Sequence, residues 1–274
     1  MGAVNRRKQA FIIALGAGIL LAAINIGAAF LDLGAISTNL QERNLAPSFA
    51  HLFGTDWLGR DMFNRTIMGL ALSIRVGFIG AGCSVIISVC MGLAAATFGK
   101  TADRIISWLI DLFLSVPHLV SLILIAFAFG GGMKGIIIGI ACTHWPSLAR
   151  VIRAEALQLK ESDYVKIAHK LGKSHLAVAW QHMVPHILPQ MLIGLFLMFP
   201  HAILHEASIT FLGLGLSPHQ PAVGIILSES MRYLSSGMWW LAVFPGIGLL
   251  IVVRSFDRLG EHLQLLVDPH RSRE

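Results

Sequence analysis

The sequence predicts an all-α membrane protein with six transmembrane helices and both termini on the cytoplasmic side. Three observations carry this. Of 274 residues, 55% are hydrophobic and only 13% charged, against about 25% charged in an ordinary soluble domain, and the mean hydropathy is +0.71. Apolar stretches recur at lengths close to the roughly 20 residues that a helix needs to cross a hydrocarbon core. With the N-terminus inside, fifteen of the 21 Lys and Arg residues fall in cytoplasmic segments and six outside, the asymmetry expected of cytoplasmic loops. The net charge of +6 is thereby topological and calls for no nucleic-acid partner. An acidic or disordered chain is excluded by the same numbers.

The spans follow in order. Ala10 to Leu31, Val76 to Gly99 and Leu112 to Met133 each run without a charge. The first follows Arg6, Arg7 and Lys8 as a signal peptide would, but its 22 apolar residues exceed a 7–15-residue signal core; it is expected to be an uncleaved helix. Gly135 to Ala149 is a shorter fourth candidate between Lys134 and Arg150. In the uncharged stretch Ser174–His205 the polar start (His175, Gln181, His182, His186) places the fifth span from about Met191. The sixth lies between Arg232 and Arg254. This leaves a cytoplasmic N-terminus at 1–9, one membrane domain over 10–256, an outer loop at 32–75, a cytoplasmic loop at 150–190 and a cytoplasmic tail at 257–274.

Within the second span Gly80, Ser84, Ser88, Gly92 and Ala96 recur every four residues. Small residues on one face let helix backbones approach closely, either within the bundle or against a second membrane subunit. Cys83, Cys90 and Cys142 sit in apolar runs and read as small core residues, without disulfide or zinc spacing.

The cytoplasmic loop is the most informative stretch. Leu157, Leu159, Val165, Ala168 and Leu171 allow short amphipathic helices with Lys160, Lys166, Lys170 and Lys173 solvated. Gly172 stands where a helix would end, and Pro185 and Pro189 punctuate re-entry into the membrane. Such a folded elbow docks on a cytosolic partner or lies on the membrane surface.

These residues resemble the second-permease type of the peptide and nickel ABC importers. The outer loop reads Gly54-Thr55-Asp56-Trp57-Leu58-Gly59-Arg60-Asp61, then Asn64-Arg65. The elbow carries Arg150-Val151-Ile152-Arg153, Asp163-Tyr164-Val165, Ala168, Leu171-Gly172, His182 and Pro185, like the permease "EAA" loop. Phe211-Leu212-Gly213-Leu214-Gly215, Phe244-Pro245-Gly246 and Asp268-Pro269 follow in register. The sequence departs from the pattern at Lys166-Ile167-Ala168, His169 and His186. The resemblance implies a six-helix type I ABC importer permease that pairs with a homologous second permease. It also implies two cytosolic ATPases, which bind the ATP and Mg and engage Asp163, Tyr164, Ala168, Leu171 and Gly172, and an extracytoplasmic binding protein facing a loop with Asp56, Arg60, Asp61 and Arg65. Those four are expected as contacts or as braces of the loop. No cofactor is expected in the chain itself, which has no Gly-x-x-x-x-Gly-Lys-Ser/Thr phosphate loop.

Twelve histidines are many for so apolar a chain. His118 follows Pro117, His144 stands six residues before Arg150, and His201 and His205 share a helical face with Glu206 beside them. Polar groups at membrane depth face a cavity or a partner, and neutral imidazole suits nickel. The expectation is therefore a permease for nickel, free or chelated, with His144, His201, His205 and Glu206 on the path. The alternatives are that these groups make interhelical hydrogen bonds or gate contacts, and that the cargo is a dipeptide or oligopeptide. An intramembrane enzyme is the rival class, but His205-Glu206 lacks the second His of His-Glu-x-x-His, with Ile209 in its place, and Gly-x-Ser-x-Gly is absent. A stand-alone channel would not need the elbow.

Overall fold

A computed structural model describes residues 6–267, apart from Asp32 and Pro218; Asp268-Pro269 and residues 1–5 lie outside the described residues. The long helices are α1 (Arg6–Phe30), α2 (Met62–Thr97), α5 (Gly132–Lys160), α8 (Val184–Phe211) and α10 (Trp240–Val267). Shorter ones are α3 (Lys100–Ser115), α4 (His118–Ala128), α6 (Asp163–Lys170), α7 (His175–Val178) and α9 (Val223–Ser230). Among the described residues five helices are long and apolar enough to cross a membrane, or six if α3 and α4 count as one bent span.

Four expected boundaries are corrected. The second span begins at Met62 rather than Val76, inside the expected outer loop. Asp61 caps it by accepting from the Asn64 amide at 2.9 Å, and Arg65 is paired inside the protein, so these charges do not end the helix. The third is not one helix over Leu112–Met133 but two, bent by 102°. Pro117 has no amide hydrogen and disfavours helical backbone at Val116, which is extended (φ −94°, ψ 140°). The fourth runs past Arg150 to Lys160, so the cytoplasmic loop starts as a continuing helix. The last helix starts at Trp240, and α9 occupies part of the connector before it. It continues into the expected tail as far as Val267.

Helix α2 is the centre of the bundle. Its small-residue stripe is used within the chain, against α5. A Cβ on Gly80 would meet Ile140 at 2.8 Å and one on Gly92 would meet Ile152 at 2.7 Å, and Ser88 Oγ donates to the Trp145 carbonyl at 2.9 Å. Ile140 and Ile152 are fully buried in the resulting core. A second core gathers Phe199, Ile203 and Val252 between α2, α8 and α10, with Ile24 of α1 against it. Cys83 and Cys90 are exposed on α2 rather than buried in the core, and Cys142 is half-buried.

The basic ends of the helices meet on one side. Lys160 Nζ donates to the Ala96 carbonyl at 2.9 Å, and Arg153 grips Asp103 at the start of α3 through both Nε and Nη2. By the positive-inside rule this is the cytoplasmic side.

Candidate functional site

Three clusters of functional side chains stand out, one at each face and one at mid-depth. On the cytoplasmic side α6 starts with Asp163 and is short and two-faced. Val165 and Ala168 are buried and form a small core with Val178 of α7. Tyr164, Ile167 and Leu171 are exposed, Leu171 at 77%. Gly172 has φ +83°, a left-handed conformation that glycine adopts without steric cost, and it turns the chain towards Ser174, which caps α7. Lys166 pairs with Glu161 at 2.9 Å, tying α6 to the end of α5 and holding the Glu161 carboxyl below the usual carboxylate range. Lys173 Nζ donates to Gln181 Oε1 at 2.8 Å. All five elbow residues singled out in the sequence therefore lie in one turn-and-helix unit, four of them exposed (Asp163, Tyr164, Leu171 and Gly172) and Ala168 buried. Pro185 falls at the start of α8 and Pro189 inside it, after a π-helical turn over Ala179–Met183.

On the outer side Asp56 is 2% exposed and fully engaged. Its Oδ1 accepts from the Leu58 and Arg60 amides at 2.8 and 2.9 Å. Its Oδ2 accepts from Arg60 Nε and Arg65 Nη1, both at 2.6 Å. The same two arginines reach Glu229 Oε2 of α9, at 3.1 and 2.9 Å. Asp61 caps α2 and pairs with His51 Nδ1 at 2.9 Å. Two carboxylates and two guanidiniums thus balance in charge and clamp the outer loop to α9. The structure places Asp56, Arg60 and Arg65 in this brace and Asp61 beside it, at the start of α2. Glu229 was missed; its signal is that it is the only acidic residue between Glu206 and Asp257.

At mid-depth His118 (α4), His144 (α5) and His205 (α8) converge. Their ring centroids are 4.3 Å (118–144), 4.5 Å (118–205) and 5.3 Å (144–205) apart. His144 lies about 18 Å along α5 from Gly132 and about 24 Å from Lys160 at 1.5 Å per residue. The Pro117 break is what delivers His118, the first residue of α4, to this point. Of the four residues expected on a path, His144 and His205 come together. His201 is exposed one turn away, its carbonyl facing His205 Nδ1 at 2.7 Å. Glu206 points elsewhere: it is fully buried and accepts from Thr210 Oγ1 at 3.0 Å.

Comparison with known proteins gives this arrangement its family. Residues 88–266 match the model of the binding-protein-dependent transport system inner membrane component. The chain belongs to that family. As a member it is a multi-pass membrane permease of a bacterial ABC import system. It is 33% identical over 232 residues to the dipeptide transport system permease protein DppC of Alkalihalophilus pseudofirmus, covering 85% of this chain and 76% of the relative. It is 34% identical over 233 residues to the oligopeptide transport system permease protein OppC of Bacillus subtilis, again covering 85% and 76%. A chain of the MetNI methionine ABC transporter in an inward-facing conformation superposes with a TM-score of 0.56 at 16% identity, over 74% of this chain and 97% of that one; it shows the fold, that of a type I permease. The relatives' names favour the peptide alternative over the nickel expectation.

Proposed function

We propose that this chain is one of two homologous membrane-spanning subunits of an ATP-driven importer of dipeptides or oligopeptides. The names of its relatives support the substrate class. The coupling role rests on one observation above the others: a cytoplasmic helix with Val165 and Ala168 buried and Tyr164, Ile167 and Leu171 left exposed. Two cytosolic ATPases, which bind the ATP and Mg, receive this face. The chain itself performs no hydrolysis and needs no cofactor. An extracytoplasmic binding protein docks on the outer side, where Asp56, Arg60, Asp61 and Arg65 shape the loop that meets it.

The mechanism is a shift between two packings, each favoured by a different ligand state. ATP draws the two ATPases together and moves α6. The Lys166–Glu161 pair passes that movement to α5, and α7 with the π-helical turn passes it to α8. Both helices border the mid-depth histidines, so the histidine cluster and the elbow are joined through helices. Nickel, free or chelated, is a second reading of the cargo, favoured by the three converging imidazoles alone.

Uptake of a labelled dipeptide and of radioactive nickel, measured in parallel in cells with and without this gene, separates the two. Loss of dipeptide uptake alone supports the proposal; loss of nickel uptake alone overturns its substrate class in favour of the second reading. Copurification of ATPase subunits with the tagged chain tests the coupling role.

A further inference from the structure

We propose that His118, His144 and His205 form a binding site for a divalent transition-metal ion of the nickel or zinc class, held between α4, α5 and α8. The inference rests on the permease reading only for its effect on the transport cycle, since the binding chemistry stands on the cluster itself.

Two of the three rings are held by backbone through one nitrogen and offer the other. His144 Nδ1 lies 3.1 Å from the Ile140 carbonyl oxygen and His205 Nδ1 lies 2.7 Å from that of His201. A carbonyl can only accept, so both Nδ1 atoms carry the proton and both Nε2 atoms present a lone pair. His144 Nε2 is buried without any hydrogen-bond partner. His118 keeps its Nδ1 buried and without a hydrogen-bond partner. A buried polar nitrogen left unpaired is costly, and two meet here. Metal-ligating histidines donate their second N–H to a backbone carbonyl or carboxylate in the same way, which fixes tautomer and ring orientation.

Distances fit after a small closure. One candidate donor atom from each of the three residues lies within 4.8 Å of the others. Around an ion with bonds of about 2.1 Å, tetrahedral donors sit about 3.4 Å apart, so the rings must draw in by roughly 1 Å, within the reach of side-chain rotation. Three neutral imidazoles with no carboxylate in the cluster select a borderline ion over magnesium or calcium. Three protein nitrogens also leave further coordination positions open to water or another small donor. Because the ligands come from three helices, an ion that binds here favours the packing in which α4, α5 and α8 meet, by mass action.

The test is equilibrium binding of Co²⁺ and Ni²⁺ to the assembled complex, purified without a polyhistidine tag, with Co²⁺ followed by its visible absorption. The expected result is one ion per copy of this chain, an absorption spectrum of nitrogen-ligated Co²⁺, and at least about 100-fold weaker binding in His144→Gln, more than the 10–100-fold that loss of an outer-shell partner costs. His205→Gln, at the half-exposed ring, serves if His144→Gln does not assemble, and the same weakening is expected. Replacing the elbow histidines 175, 182 and 186 together with Gln should leave binding unchanged. Wild-type affinity in both single variants, or loss of binding only in the elbow variant, overturns the site. Neither result depends on which cargo the transporter carries.

Discussion

Replacing Asp56 with alanine should release the outer loop, and the size of the effect can be worked from the clamp. Asp56 accepts four hydrogen bonds, two of them from guanidiniums at 2.6 Å. Its removal leaves Arg65, whose side chain is 4% exposed, with only Glu229 at 26%. Breaking a buried ion pair by deleting one partner costs about 3–5 kcal/mol, because the remaining charge is stranded. Asp56→Ala is therefore expected to lose stability in that range, measured by denaturant titration in mixed micelles, and to speed trypsin cleavage after the already exposed Arg43 as the loop loosens. Asp111→Ala is the matched control: its partner Arg150 and Asp111 itself are 56% and 72% exposed, where pairs contribute about 0–1 kcal/mol. The double variant Asp56→Ala/Arg65→Met should cost less than the sum of the single changes by about 1–3 kcal/mol. If Asp56→Ala costs no more than the Asp111 control, or if the double cycle is additive, the charge-balance argument is wrong.

Further outcomes follow from the same geometry. Gly92→Val should prise α2 from α5, since its Cβ would sit 2.7 Å from Ile152 and 3.0 Å from the Arg153 backbone nitrogen; overpacking of this kind costs about 1–3 kcal/mol, read as a lower Tm in detergent. Gly172→Ala forces a side chain into φ +83° at a cost of about 1–2 kcal/mol, and should loosen the elbow without affecting membrane insertion. Ile167→Asp and Leu171→Asp change exposed positions; stability should stay within about 0.5 kcal/mol while ATPase copurification is lost. Gly172→Pro with Ala168→Asp, which puts a carboxylate into the core of Val165 and Val178, should abolish ATP-driven uptake while the protein still inserts.

That the chain is a helical bundle of five or six candidate spans was legible because it depends on composition and on the length of the apolar runs. Helix ends were not, because a charge was read as a boundary. Arg75 and Arg150, the charges that bounded the expected spans, stand exposed inside α2 and α5. A helix keeps its backbone hydrogen bonds in water, so a charged residue does not mark its end. The break at Pro117 was legible in principle, since the residue before proline is driven out of the helical region. It was hidden by an uncharged run long enough to cross the membrane as one helix.

That break also explains why the histidines could be flagged without their grouping being seen. Period 3.6 places His201 and His205 on one face, and the sequence therefore pairs them. The backbone uses the pair differently: the His201 carbonyl anchors the His205 ring, while the ring's free nitrogen turns towards α4 and α5. Had α3 and α4 been one straight helix, His118 would have lain on a continuous span. The 102° bend makes it instead the first residue of a new helix against His144. An interruption of local structure thus creates the long-range contact, and the same proline that ends α3 sets the position of the third imidazole. Substituting Pro117 with alanine removes the steric cause of the break, so it should straighten the α3–α4 junction. It should weaken Co²⁺ binding as much as loss of a ring would, with all three histidines still present. Unchanged binding in Pro117→Ala would mean that packing against α5, rather than the proline, holds His118 in place.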